Sequence, residues 1–596
     1  MVLAEKNSKF SGEETIAEFE HLTRDAAAVQ REVLRRILSE NAAAEYLRHV
    51  GLAGAPTRTA SGPACRSSRT RTSSLTLRAS STATPPLSSP SSPSPPSPSG
   101  SVNRSGTTQG RRKYLPFNHD LFMLGVRVYQ TSFAFRNKAF PVEDGKSLQF
   151  IYASSQSTTS GGLTATTVTT NLYRTAAFKP MMRAIQSQCC SPDAVIFGPD
   201  HGESLYCHLL CGLLFSGEVR TVFAMFAHSL VLAFQTLELL WEDLCHDIRH
   251  GVLSPTRVAT PDVRDAMAAL LLLMSPVNNP ELADEVARTC AGLKSNNWYG
   301  VIPALFPNAK YVHSIVTGSM EHYVKKLRHY GGDLPLVAMD YGASEGMVAP
   351  NVDPELPPES ATFTVHPAIA YFEFIPLSHS SDRKTAGVDL SCAEPEPIAM
   401  TDVIVGEEYE VVVTTAGLYR YRLGDVVKVT GFYNSAPQIK FVCRRNLMLS
   451  INIDKNSELD LQLAVNGAAN ILAAENLEVT DYTSHADVSS NPGHYIVFWE
   501  INGDANDNVL QRCCDELDRG FVDPGYVGSR KVNAIGPLEL QVLKRDAFQK
   551  VLRYYHSLGA PVNQFKLPRC VARSNSNVLQ ILFSNVDKVF FSTAYD

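Results

Sequence analysis

The chain has 596 residues, 44% of them hydrophobic and 19% charged. It can bury more than one core, since a single core rarely grows past ~250–300 residues, and two or more domains are expected. A net charge of −6 argues against a dedicated nucleic-acid or anionic-membrane surface, which needs clustered positive charge.

The first element predicted is an amphipathic helix. Ile16, Phe19, Leu22, Ala26, Val29, Val33 and Ile37 recur at spacings of three and four and share one stripe. The N-terminus turns acidic at Glu13-Glu14, without the apolar stretch of a secretory signal. Composition then breaks: residues 46–119 contain no Asp or Glu, and Ser, Thr, Pro and Arg dominate. The run from Pro85 to Gly100 is low-complexity and carries too little apolar surface to offset ordering entropy. Two readings stay open, a flexible loop and a mistranslated frame inside an otherwise ordinary gene.

From Lys113 onward the chain reads as globular α/β. Leu148–Tyr152, Ala194–Phe197 and Pro335–Met339 are strand-like runs between longer helical stretches. Val222–Phe234 and Ala266–Met274 are the most apolar runs; both read as buried helices and fall short of the ~20 residues needed to span a bilayer. Cys207, His208 and Cys211 lie in the apolar run Leu205–Phe215, with no fourth ligand at a normal spacing, so a core helix is preferred to a metal site. Twelve dilute cysteines, with Cys189-Cys190 and Cys513-Cys514 adjacent, suit the reduced thiols of a cytoplasmic protein rather than a disulfide framework. Tyr409–Thr414 and Tyr419–Val429 read as a hairpin with Gly417 in the turn. A second series of helices and strands begins near Arg445.

Three motifs carry chemistry. Ser105-Gly106-Thr107-Thr108-Gln109-Gly110-Arg111-Arg112-Lys113 offers backbone amides, hydroxyls and a lysine to a phosphate, though it lacks the ending of a P-loop. Asp340-Tyr341-Gly342-Ala343-Ser344-Glu345-Gly346 follows a strand, where a glycine turn places polar groups at a sheet's carboxyl edge; Glu345 is a candidate Mg²⁺ ligand, and a structural turn is the alternative. In Tyr421-Arg422-Leu423-Gly424-Asp425-Val426-Val427 the carboxylate of Asp425 can accept both ribose hydroxyls; the alternative is a hairpin in which Arg420 or Arg422 pairs with Asp425. Ser160-Gly161-Gly162 with Thr164 forms a polar glycine loop, either an amino-acid pocket or an ordinary surface turn.

In this order the three motifs resemble the acyl-adenylate-forming superfamily. Phe441-Val442-Cys443-Arg444-Arg445-Asn446-Leu447 is similar to the hinge between that superfamily's large and small domains. Asn297-Trp298-Tyr299-Gly300, Pro303–Lys310, Thr317–Glu321, Tyr371-Phe372-Glu373-Phe374 and Leu449–Asn456 look like the plant acyl-acid amido synthetases, which conjugate jasmonate and auxin. The form Tyr341-Gly342-Ala343-Ser344-Glu345-Gly346 resembles the jasmonate branch.

The resemblance implies an α/β fold with four segments. An N-terminal helix, 1–54, packs on a large acyl-adenylate-forming domain; 55–104 is the low-complexity stretch; 105–440 is the large domain of mixed sheets and helices, and 441–596 a smaller mobile α/β domain. It implies a ligase that uses ATP and Mg²⁺ to adenylate a hormone acid, jasmonate first, and passes the acyl group to an amino acid. Auxin conjugation, a coenzyme A ligase and an inactive homologue are the alternatives. ATP would be held by Ser105, Thr107, Thr108, Lys113, Tyr341, Gly342, Ala343, Ser344, Glu345, Gly346, Tyr371 and Asp425, with Mg²⁺ on Glu345. The acid would meet Val126, Tyr129, Met339 and Met347, and the amino acid Ser160, Gly161, Thr164 and Lys566; Glu345 and Lys566 would be catalytic. A monomer with no nucleic-acid or membrane partner is expected. Two departures stand out: Arg104 precedes Ser105 where the family opens with two serines, and Met339 and Met347 stand where jasmonate users are expected to carry His and Trp.

Overall fold

The computed structural model describes residues 10–42, 101–105, 113–117, 119–142, 144–154, 156–158, 164–176, 178–185, 188–274, 279–377, 395–444, 448–451, 454, 456–558 and 566–596. They form two compact units. The first takes Tyr114–Leu423 and Val427–Phe441 with the described residues before Gly106; the second takes Gly424–Val426 and Val442–Asp596.

The N-terminal stripe is real, but two helices share it, α1 (Gly12–Arg24) and α2 (Ala26–Glu40). Asp25 leaves the helical region at φ −129°, and its carboxylate accepts the amide of Ala28 at 3.0 Å, so it stops one helix and caps the next. Strands β1 (Ser101–Ser105) and β2 (Lys113–Phe117) lead into α3 (His119–Ala139). Next come β3 (Lys146–Phe150), β4 (Gln156–Thr158) and β5 (Thr164–Thr166), then α4 (Val168–Arg174), α5 (Phe178–Ile185) and β6 (Gln188–Cys189). The run Ala194–Phe197 is not a strand; it lies in the short helix α6 (Asp193–Phe197). Four apolar residues carry no period that separates the two states. Helix α7 (His201–Leu214) buries Cys207, His208 and Cys211 as a core helix does. The expected helix at Val222–Phe234 divides into strand β7 (Val219–Phe226), rich in β-branched and aromatic residues, and helix α8, which starts at Ala227 and ends at His250. Ala266–Met274 is the end of helix α9 (Pro261–Met274), which buries Met267 and Leu271 but leaves Leu272 exposed.

Strands β8 (Tyr311–Ile315) and β9 (Leu336–Ala338) complete a five-stranded sheet of order β6-β3-β7-β8-β9, in which every pair is parallel. All its strands end on one edge, and the chain leaves β9 through Met339 and Asp340 into a small antiparallel hairpin, β10 (Tyr341–Ala343) and β11 (Gly346–Ala349). A six-stranded sheet follows, β12 (Phe363–Thr364), β13 (Tyr371–Pro376), β14 (Ile398–Ala399), β15 (Glu408–Thr414), β16 (Tyr421–Tyr433) and β17 (Ala436–Arg444), in the order β12-β17-β16-β15-β13-β14. The expected hairpin is β15 and β16, with Gly417 between them.

The second unit has its own core. Helix α10 (Glu458–Ala473), fixed by a capping box between Ser457 and Asp460, packs with Trp499, Tyr495 and Cys514. Its sheet joins Val479–Asp487, His494–Ile501, Glu539–Leu543 and Val586–Phe591 in that order. No helix among the described residues is long and apolar enough to cross a membrane.

Candidate active site

The parallel sheet and α3 enclose the site. Alternate residues of a strand face one side. In the first row across the sheet, Ser147 stands beside Thr221 and Thr221 beside Tyr311; in the next, Gln149 neighbours Phe223 and Phe223 neighbours His313. These six residues floor a cavity of about 150 Å³ that Met225 extends toward the strand ends. Leu121, Gly125, Val126, Tyr129 and Arg136 of α3 border it, with Leu172 and Tyr173 of α4 and Phe178 and Met182 of α5. Met339, Asp340, Ala343, Ser344, Gly346 and Met347 finish the wall at the carboxyl edge. Thus Val126 and Tyr129 of α3 and Met339 and Met347 around the distant hairpin, two pairs far apart in sequence, border one space.

The cavity is apolar near the hairpin and polar deeper along the strands. Gly342 lets Met347 settle on it, for a Cβ there would stand 2.7 Å from the methionine sulfur. At the other end Arg136, 1% exposed, donates from Nε to the Tyr311 hydroxyl at 3.2 Å, and its Nη1 lies 3.3 Å from His313 Nε2. Burial, helped by Arg136, drives the His313 pKa well down, so the ring is neutral and accepts. Asp340 is also buried; burial lifts its pKa to about 6, although Ser132 Oγ at 2.9 Å and the Asn351 amide at 3.0 Å both donate to it. Neither Arg136 nor His313 was singled out from sequence, and Asp340 was named only as the opening residue of the second motif. The available signal was a histidine inside an otherwise apolar strand and an arginine beside the apolar Phe133-Ala134-Phe135 of a helix.

The second motif forms a hairpin rather than a simple strand-to-turn passage, and Ser344 and Glu345 are its turn. The Tyr421 hydroxyl donates to Glu345 Oε1 at 3.1 Å, so the second and third motifs meet. The arginines of the third motif are held by glutamates of neighbouring strands. Arg420 binds Glu373 on β13 at 2.9 Å and Arg422 binds Glu410 on β15, pinning β16 to its neighbours. Asp425, 3% exposed beside Gly424 at φ +74°, meets Arg444 Nε at 3.2 Å.

Within the second unit, Asp425, Arg444, Glu458 and Lys566 influence one another. Lys566 keeps much of its surface exposed, yet crowding around its ammonium, with Arg444 adding repulsion, lowers its pKa to about 8 against the pull of Asp425 and Glu458. Burial raises the Glu458 pKa, opposed by Arg569, Arg444 and Lys566.

The other expected residues that the structure describes do not line this cavity. Tyr371 is buried among Val33, Leu34, Ile37 and Leu38 of α2. Thr164 lies exposed on β5. Ser105 ends β1 and Lys113 opens β2, while Thr107, Thr108, Ser160, Gly161 and the hinge at Arg445 lie outside the described residues. His208 meets Ser191 Oγ at 2.7 Å and the Ile151 carbonyl at 2.8 Å. Among the described residues no group of three or more His, Cys, Asp or Glu is arranged to hold a metal.

A mostly apolar cavity at the carboxyl edge of a parallel sheet suits a small organic molecule, and the known proteins of this fold define the class. The structure of the GH3.15 acyl acid amido synthetase in complex with 2,4-DB matches at a TM-score of 0.84, covering 99% of each chain at 31% identity. The protein is a ligase of that class, which uses ATP. It belongs to the GH3 family: the family's N-terminal domain matches residues 15–60 and 102–336, its central domain 363–444, and its C-terminal domain 459–575. The jasmonoyl–L-amino acid synthetase JAR4 of Nicotiana attenuata is 54% identical over 595 residues, covering 100% of both chains. The probable indole-3-acetic acid-amido synthetase GH3.12 of Oryza sativa subsp. japonica is 54% identical over 616 residues, covering 98% of this chain and 97% of the relative.

Proposed function

We propose that the protein activates jasmonate as its acyl-adenylate and joins the acyl group to the amine of an amino acid. The observation that carries this reading is the cavity, where Val126, Tyr129, Met339 and Met347 border one largely apolar space beside the Ser344–Glu345 turn. Relatives named jasmonoyl–L-amino acid synthetases, JAR4 among them, support the choice of acid. Indole-acetate is the second reading, favoured by the rice relative that carries its name.

In the first half-reaction a carboxylate oxygen of the acid attacks the α-phosphorus of ATP, and the bond to the bridging oxygen breaks as pyrophosphate leaves with the electron pair. In the second, the amino acid's amine attacks the acyl carbon, AMP departs, and the amine proton passes to solvent. Ser105, Thr107, Thr108 and Lys113 would neutralise the phosphates, Tyr341 to Gly346 would line the nucleotide, Tyr371 would border adenine, and Asp425 would accept the ribose hydroxyls. The Glu345 carboxylate, oriented by Tyr421, is a hard oxygen donor of the kind that holds Mg²⁺ with substrate phosphates. Bound there, Mg²⁺ would supply charge neutralisation on those phosphates. Lys566, an ammonium below about pH 8, would meet the adenylate or the amino acid's carboxylate, and Ser160, Gly161 and Thr164 would border the amino acid. The apolar wall keeps water from the activated acid.

We place this chemistry in a monomer in the cytoplasm; the cysteines among the described residues are all free thiols. The test mixes the purified chain with ATP, Mg²⁺ and a panel of acids against amino acids, reading pyrophosphate release and product mass. A jasmonoyl–amino acid conjugate is expected. A thioester formed only with coenzyme A, or no pyrophosphate with any acid, would overturn the reading.

A further inference from the structure

Helix α8 ends on a pair of histidines that acyl activation does not use. His246 and His250, both exposed, stand four residues apart, the spacing that makes side chains neighbours on a helix surface. Their ring centroids lie 4.6 Å apart at an interplanar angle of 51°. His250 makes no hydrogen bond or ion pair among the described residues. His246 uses one nitrogen only: its Nδ1 lies 3.5 Å from Oδ1 of Asp247. That carboxylate is buried and held in place, its other oxygen accepting from the Tyr206 hydroxyl at 2.8 Å and from the Ser254 amide at 2.8 Å.

A neutral imidazole that turns one N–H to a carboxylate presents a bare lone pair at its other nitrogen, and metal-bound histidines are oriented in this way. With Nδ1 facing Asp247, His246 offers Nε2. The separation of the rings then says what the pair can hold. An imidazole centroid lies about 3.2 Å from a metal that its nitrogen binds at about 2.0–2.1 Å. Two rings on one ion therefore stand about 4.5 Å apart at a right angle and about 5.2 Å apart at the tetrahedral angle. The observed 4.6 Å matches the right angle, the arrangement of tetragonal Cu²⁺ or Ni²⁺ rather than of tetrahedral Zn²⁺.

The surroundings favour a cation. The pair sits at the C-terminal end of α8, where the last carbonyls carry the negative end of the helix dipole. Glu242, exposed one turn earlier, adds a carboxylate on the same stripe. The nearest arginines are offset, Arg249 by Asp284 and Arg257 by Asp243.

We propose that His246 and His250 form a surface chelate for a divalent transition metal, copper before nickel or zinc, with water in the remaining positions. Copper leads because nitrogen sites bind it more tightly than its neighbours in the series. None of these residues lines the acid cavity, so the chelate stands whether or not the ligase reading does.

The test titrates Cu²⁺ into the full chain, freed of any purification tag. Calorimetry follows binding, and electron paramagnetic resonance counts the nitrogens on the ion. The wild type should take up copper with two imidazole nitrogens. His246→Ala and His250→Ala should each weaken that site at least tenfold, the loss that even an outer-shell partner commands, and leave one nitrogen. Both positions are exposed, so the variants should melt with the wild type. The double variant measures the background from histidines elsewhere. Ni²⁺ and Zn²⁺, titrated in the same way, should bind more weakly than copper. Copper uptake no greater than that of the double variant, or a two-nitrogen signal unchanged in the single variants, would overturn the proposal.

Discussion

Two carboxylates in this protein owe their properties to opposite circumstances. Asp340 is buried among neutral donors, and burial lifts its pKa from 3.8 to about 6. A raised carboxylate pKa means the folded protein binds more protons than the unfolded chain between those values, so stability falls as pH rises through that window and is level above it. The shift is about two units, so this cost reaches about 3 kcal/mol above pH 6. Asp340→Asn can keep both hydrogen bonds, one by turning its amide to the Ser132 hydroxyl, and removes the titration. Denaturation midpoints of the two proteins, taken from pH 4 to 8, should diverge in favour of the variant up to about pH 6 and run parallel beyond. Curves parallel throughout would mean that Asp340 is not strained by its burial. Asp425 is also buried, but it has an arginine beside it, Arg444 at 3.2 Å. Asp425→Asn should weaken the ATP-dependent half-reaction by at least ~1.5 kcal/mol, about tenfold, because an amide accepts ribose hydroxyls less well than a carboxylate. ATP dependence of pyrophosphate release measures it, and an unchanged value removes Asp425 from the nucleotide's contacts.

At the scale of elements, the hairpin β10–β11 carries Ala343, Ser344, Gly346 and Met347 to the cavity and Glu345 to its own tip. Gly342 leaves the space that Met347 occupies, so a larger side chain at 347 has room above the glycine but must take the rest from the cavity. Met347→Trp should therefore narrow the range of acids. The jasmonate preference in kcat/KM over a plain fatty acid should change by about 1–3 kcal/mol per methylene that no longer fits. A ratio that does not move would place Met347 outside the acid's reach. The motif residues of this hairpin were legible in the sequence because turns announce themselves through glycine and polar residues. The cavity floor was not. Tyr311 and His313 look like any residues of a buried strand until the parallel register sets them beside Thr221 and Phe223, and Arg136 becomes part of the same wall only when α3 lies over that sheet. Short apolar runs misled for a related reason: Ala194–Phe197 is helical and Val222–Phe226 extended, states that their composition alone does not separate. The ion pair between Asp425 and Arg444 was not legible either, because it joins residues on two different strands.

At the scale of the whole molecule, one stretch stands apart from the family. Its N-terminal domain matches residues 15–60, stops, and resumes at 102, close to the span where the sequence loses every acidic residue and fills with serine and proline. On either side of the gap the match is continuous with ordered elements, α1 and α2 before it and β1 after it. A segment of that composition contributes little apolar surface to a core. Changing the length of a connection alters its closure entropy by only ~0.6 kcal/mol per doubling. Removal of residues 61–100 leaves 41–60 to connect α2 with β1, and keeps Arg104 and Ser105 in place. The shortened protein should unfold at the same temperature and release pyrophosphate with jasmonate at a rate within roughly twofold of the full chain, as expected for a loop outside the core. Thermal melts and adenylation rates of the two proteins, measured side by side, decide the matter. A shortened chain that folds but no longer adenylates would show that the stretch acts in catalysis; one that melts well below the full chain would show that it packs.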